Sequence, residues 1–270
     1  MLKEVILDTI KIIPVLFIAF LLMEYIESKL SNDKLEIIIK KFGVLGASIL
    51  ALIPQCGFSV LAASLYIENR ITLGTLIAVF IATSDETIPV LVSYPKMTNS
   101  IVLLLVIKLI IAISAGYLCD YIFNSNRFNI KVNRENGDES IFISSIKRTC
   151  KILVIIFITN LIISLIINVI GESNLNNILL SKSMFQPLIA SLLGFIPNCA
   201  ISVIFAELYI NGSLSFASLV SGLIVNAGLG LIVLIEYRIN YKVILKIMAI
   251  LFVIALFSGF VIEFLTPFLL

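Results

Sequence analysis

Long apolar stretches alternate with short polar ones along this chain. They run over residues 10–28, 44–68, 71–93, 99–123, 148–170, 187–211, 214–236 and 243–265. A helix rises about 1.5 Å per residue and a bilayer core is about 30 Å thick, so roughly 20 apolar residues make one crossing. Most of the segments are long enough to cross. Two are interrupted at their centres, 44–68 by Pro54-Gln55-Cys56 and 187–211 by Pro197-Asn198-Cys199. Proline brings no amide hydrogen to the helical ladder, and irregular backbone at membrane depth survives only inside protein or beside a water-lined cavity. Each interrupted segment is therefore either one kinked crossing or a re-entrant hairpin of two half-helices, each about 15 Å long. Lys3 and Glu4 precede the first stretch and no small-residue cleavage site follows it, which predicts a retained first helix.

The distribution of positive charge separates the two models, because a hairpin returns the chain to the side it came from. With two hairpins, 14 of the 19 Lys and Arg fall on one face, Lys29, Lys40, Arg70, Arg134, Lys147 and Lys246 among them. The other face receives only Lys3, Lys96 and Lys182, while Lys11 and Lys108 lie inside spans. With two full crossings the split is nine against eight, which gives no orientation. The hairpin model is the expectation, with both termini outside the cytoplasm.

Sliding the chain against itself by 143 residues lays Leu45–Val92 over Leu188–Ile235 without a gap. Pro54 meets Pro197, Gln55 meets Asn198, Cys56 meets Cys199 and Ser59 meets Ser202. A shared Pro-amide-Cys with Ser three residues later is not a composition effect. The expected fold is an all-α integral membrane protein, an inverted repeat in which each half has three transmembrane helices plus one re-entrant helical hairpin. Repeat 1 covers 1–123 with its hairpin at 44–68, a cytoplasmic linker covers 124–146, and repeat 2 covers 147–270 with its hairpin at 187–211. Three crossings per half, an odd number, would invert the second copy. Inverted repeats that meet at broken helices near the midplane mark secondary transporters.

Composition narrows the chemistry. The chain of 270 residues is 60% hydrophobic and 13% charged, with mean hydropathy +1.14, so no room remains for a separate soluble domain. A net charge of +2 and no basic stripe argue against nucleic acid as a partner. With no His in the chain, an ion site must be built from carboxylates, amides, backbone carbonyls and sulfur. Cys56, Cys119, Cys150 and Cys199 have no disulfide or zinc spacing and are expected to be free thiols.

Thr83-Ser84-Asp85-Glu86-Thr87 sits at the middle of 71–93. One acidic residue at a helix centre costs roughly 2.5–3.5 kcal/mol, so two neighbours need water, a cation or a base to offset them. Either they face a cation path or they pair with Lys108 on the next span. The aligned second-half residues are Asn226-Ala227-Gly228-Leu229-Gly230, which keep a polar break but lose both charges. Asn226 and the Gly228 region would add amide and carbonyl oxygen there, or the glycines would serve packing alone. The hairpin tips would bring Gln55, Asn198, Cys56 and Cys199 to the same depth, with Ser59 and Ser202. The candidate metal ligands are therefore Asp85, Glu86, Gln55, Cys56, Asn198, Cys199 and Asn226. Ser59, Ser202, Thr83, Ser84, Lys108 and Gly228 are candidates for the transport path. Asp120 and Glu263 fall near span ends, where solvation is expected to hold them.

Ile53-Pro54-Gln55-Cys56-Gly57-Phe58-Ser59, Ile71-Thr72-Leu73-Gly74-Thr75-Leu76, Ala82 through Pro89, and Ile196-Pro197-Asn198-Cys199-Ala200 together resemble the ten-segment heavy-metal exporters, described as arsenic efflux proteins or manganese transporters. The resemblance covers nearly the whole chain. A weaker one exists to permeases for trivalent organoarsenicals. The family resemblance implies export of a metal or metalloid ion, and ten segments agree with six spans plus four half-helices. Trivalent arsenic prefers sulfur, and only two cysteines can reach the midplane, so the ligand set suits a divalent ion such as Mn²⁺ better. No phosphate-binding glycine loop is present, so the energy would come from a proton or sodium gradient or a partner chain. The expected protein is not an enzyme, needs no cofactor and resides in the cell membrane. Oligomeric state stays open, a homo-oligomer included. Arsenite or organoarsenical efflux is the alternative. An intramembrane enzyme is a remote one, since an aspartyl site needs two facing Asp and a cysteine site needs a base.

Overall fold

The computed structural model describes residues 43–53, 57–83, 87–94, 97–123, 154, 185–197, 199–237 and 239–269, and regular structure among them is helical. Helix α1 covers residues 43–51. It is followed by α2 (Gly57–Ile67), α3 (Leu73–Ala82), α4 (Thr87–Val92) and α5 (Thr98–Ile122). After the linker come α6 (Gln186–Gly194), α7 (Cys199–Ile210), α8 (Phe216–Val225), α9 (Leu229–Glu236) and α10 (Tyr241–Leu269). The segments 10–28 and 148–170, apart from Val154, lie outside the described residues, as do the linker and residues 54–56 and 198.

Four stretches are long and apolar enough to cross a membrane: Leu73–Val92, Thr98–Ile122, Phe216–Glu236 and Tyr241–Leu265. They divide into two kinds. Every residue of α3 and of α8 is buried, so these helices are apolar all round and form the centre. The long helices α5 and α10 bury one stripe and expose another. On α5 the stripe Ile101, Leu104, Lys108, Ala112, Ala115 and Cys119 faces inward, while Val102, Val106, Ile110 and Tyr117 face outward. The outward apolar stripe is the surface a bilayer would cover. Backbones come close where α3 meets α5: a Cβ on Gly74 would collide with the Gly116 carbonyl. Small residues permit that approach without a side chain between the helices.

The ends of α3 and α8 are set by the same device. Thr72 and Ser215 are in extended conformation and accept the N–H of Thr75 at 3.1 Å and of Ser218 at 3.2 Å, the hydroxyl cap that replaces missing ladder partners. The recurrence at 143 residues is pervasive. Leu73–Ala82 maps onto Phe216–Val225 at both ends, and Thr98–Ile122 maps onto Tyr241–Leu265. Ser48 donates to the Val44 carbonyl at 2.6 Å and Ser191 to the Pro187 carbonyl at 2.7 Å. The turn after α2 holds Asn69 at φ 57°, and the turn after α7 holds Gly212 at φ 70°. Packing repeats as well: α3 lies on α5 as α8 lies on α10, while α4 packs on α7 and α9 on α2. The short helix after each break thus rests against a helix of the other half.

Candidate functional site

Both central spans are broken in the middle. At Thr83 the backbone N–H and the hydroxyl Oγ1 both reach back to the Val79 carbonyl, at 3.0 and 2.8 Å. The backbone then turns extended, at φ −60° and ψ 133°. In α8 the Asn226 N–H closes the last turn on the Gly222 carbonyl at 3.1 Å. Ala227 N–H does not continue the ladder to Leu223 but bonds the Val225 carbonyl at 2.7 Å. Gly228 follows at φ 52° and ψ −136°, backbone that L side chains rarely adopt. These turns free carbonyls of the final helical turn, which in an unbroken helix would each have an N–H four residues on.

Lys108 collects two of them. Its side chain is fully buried in the inward stripe of α5, and among the partners of Nζ are the Thr83 carbonyl at 2.5 Å and the Leu223 carbonyl at 3.4 Å. The first belongs to the broken end of α3 and the second to that of α8, so one ammonium joins both halves. A helix C-terminus carries roughly half a negative elementary charge, which favours a cation placed there. The pairing of Lys108 with Asp85 and Glu86 lies outside the described residues.

The serines of the candidate path stand beyond the breaks. Thr87, the first residue of α4, donates from Oγ1 to the Ser202 carbonyl at 3.0 Å. In the other half Gly230, near the start of α9, approaches Ser59 so closely that a Cβ would lie 2.8 Å from the Ser59 carbonyl. Thr87 and Gly230 are again 143 residues apart, as are Ser59 and Ser202. One contact is a hydroxyl bond and the other is made by leaving the side chain out.

Asn226 is 3% exposed. Its Oδ1 accepts the Gly228 N–H at 3.3 Å, which fixes which end of the amide is oxygen. Its Nδ2 has no hydrogen-bond partner. A buried donor left unsatisfied costs about 1–3 kcal/mol, so the break holds a group suited to an oxygen it does not yet touch. The oxygen expected to ligate metal already holds one backbone N–H and keeps a second lone pair.

The structure brings Thr83, Lys108, Asn226 and Gly228 to the two breaks, with Ser59 and Ser202 beside them. Gln55, Cys56, Ser84, Asp85, Glu86 and Asn198 lie outside the described residues, and Cys199 opens α7 with its side chain undescribed. Among the described residues no three Cys, Asp or Glu side chains gather where they could hold a metal ion. Cys119 is a buried free thiol.

Sequence reasoning missed Thr87, the Leu223 carbonyl and the two end-of-span acids. Asp120 and Glu263 are not merely solvated. Asp120 accepts from Thr72 Oγ1 at 2.7 Å and from Gly74 N–H at 2.8 Å, and Glu263 accepts from Ser215 Oγ at 3.0 Å. Carrying the 143-residue alignment past Val92 would have found them, since it lays Asp120 on Glu263.

Apolar spans with buried, broken centres define a multi-pass helical membrane protein. The chain belongs to the family described as "Putative, 10TM heavy-metal exporter", whose profile matches residues 9–174 and 138–268. Heavy-metal export is thereby its function at the level of the family. No curated protein and no solved structure matches the chain.

Proposed function

We propose that the protein is a secondary transporter of the plasma membrane that exports a divalent transition metal such as Mn²⁺ through a midplane site between two hairpin tips and two broken helices. Its halves, 1–123 and 147–270, form an inverted repeat joined by the cytoplasmic linker 124–146, and both termini lie outside the cytoplasm. Asp85 and Glu86 balance the double charge, with Gln55, Cys56, Asn198, Cys199 and Asn226 supplying oxygen and sulfur.

The observation that carries this reading is the meeting of two broken helix ends, one from each half, at Lys108. Substrate sites of secondary carriers lie where discontinuous helices converge. Inversion has its own support. The start of α3 lies by Asp120 near the C-terminal end of α5, and the start of α8 lies by Glu263 near the C-terminal end of α10. Lys246, near the start of α10, stands 3.6 Å over the Phe123 ring at the end of α5. These contacts fit helices α3 and α8 entering from opposite ends. They also favour the hairpins, because two full crossings would put Arg70 and Lys246 on opposite faces. At 9 to 12 residues, α1, α2, α6 and α7 each fall short of the roughly 20 that a crossing takes.

One observation favours efflux of trivalent arsenic instead. Asn226 Nδ2 is a donor, which suits the hydroxyl oxygens of a neutral oxyacid better than a bare cation. Flux into inside-out vesicles across Mn²⁺, Fe²⁺, Zn²⁺, Ca²⁺ and arsenite decides. Uptake of Mn²⁺ above the others is the expected result, and arsenite uptake alone would replace this reading with the second.

A further inference from the structure

We infer that Lys108 takes the place of a monovalent coupling cation, so that transport runs without sodium or potassium. The inference rests on the carrier reading above and specifies how its central charge is balanced. In carriers with discontinuous helices, freed carbonyls and half-helix C-terminal ends coordinate the coupling ion. Here two such ends converge, offering the Thr83 carbonyl from α3 and the Leu223 carbonyl from α8, and an ammonium already stands between them. Each end contributes roughly half a negative charge, so the pair matches one positive charge and not two. A divalent substrate therefore needs the carboxylates, while this locus is suited to a single charge.

Symmetry adds a second observation. The position equivalent to Lys108 on α10 is Leu251, fully buried like it. The frame of long helix against broken helix is thus built once around an apolar side chain, and packing alone does not call for an ammonium on α5. Leu251 brings no charge to its locus, so the two halves differ in charge where their carbonyl ends meet. A tethered ammonium also has an advantage that a free ion lacks, since it occupies the carbonyls at any sodium concentration.

The test uses the full-length protein in detergent and in vesicles. Lys108→Ala removes the ammonium and leaves space for an ion. Its melting temperature should then rise saturably as NaCl or KCl replaces N-methylglucamine chloride at constant ionic strength, by about 5–10 °C at 100 times the dissociation constant. Wild type and Lys108→Met, whose side chain fills the space, should not respond. If Lys108→Ala shows no such rise, or Lys108→Met shows the same one, the assignment fails. A second arm needs no variant: Mn²⁺ flux by wild type should persist when all Na⁺ and K⁺ are replaced by N-methylglucamine. Loss of flux under that replacement overturns the inference. Should wild type carry no ion of the panel at all, the exporter reading fails, and the melts still decide what Lys108 does.

Discussion

Thr72 Oγ1 donates to Asp120 Oδ2 at 2.7 Å while the other oxygen of Asp120 takes the Gly74 N–H, so the first turn of α3 is capped by a carboxylate from α5. Ser215 and Glu263 repeat the arrangement between α8 and α10. A carboxylate opposite a helix N-terminus is stabilising, and it anchors each half-helix at the end away from its break.

Removing these caps should destabilise unequally. Asp120→Ala loses two charge-assisted bonds, and a bond to a charged group contributes about 1.5–3 kcal/mol. Glu263→Ala loses one. Thermal melts in detergent should rank Asp120→Ala below Glu263→Ala, and the reverse order would mean that the caps are not equivalent in the way the repeat implies.

The two positive-φ glycines should respond differently. Gly228 lies in the buried break, and Gly228→Ala should cost about 1–3 kcal/mol in backbone strain. A Cβ at Gly212 would meet nothing within 4 Å, and this residue shares its left-handed turn with Asn69 of the other half. Gly212→Asn should therefore melt within about 0.5 kcal/mol of wild type, and a large loss there would show that the two turns differ.

Asn226 separates a functional amide from a structural one. Asn226→Leu removes a buried donor that has no partner, so the protein should accumulate normally. If Nδ2 serves the substrate, flux should fall by roughly tenfold, the equivalent of one hydrogen bond. Lost accumulation with unchanged flux per molecule would make the residue structural.

The charge centre is tested through Asp85. If Asp85 and Glu86 hold the substrate cation, Asp85→Asn should abolish export while protein levels stay normal. If they form a structural pair with Lys108, the change strands an ammonium at a cost of about 3–5 kcal/mol. Immunoblots of membranes separate the two, because Lys108→Met would then restore accumulation of Asp85→Asn.

Topology follows from the charge split. Cysteines placed at Lys40, Arg70 and Asn136 should all be labelled from the cytoplasmic side by an impermeant maleimide. Labelling of Arg70 from outside together with Lys40 from inside would eliminate the hairpin at 44–68.

The spans, the 143-residue duplication and the polar centres of 71–93 and 214–236 are legible in the sequence, because hydrophobic length, proline and buried charge are local quantities that a linear pattern carries. So is the singularity of Lys108, since a lysine inside an apolar span is costly wherever it points. Its partners are not legible. Thr83 and Leu223 offer backbone carbonyls, which every residue has, and only the break in the ladder and the crossing of α3 with α8 make these two available. The same holds for Gly230 against Ser59 and for the free end of the Asn226 amide, which depend on side-chain direction at a helix end. Sequence determined which segments enter the membrane and where they yield. Tertiary structure decided what meets at the break, because a freed backbone group acquires meaning only from the neighbour that packing brings within hydrogen-bond reach.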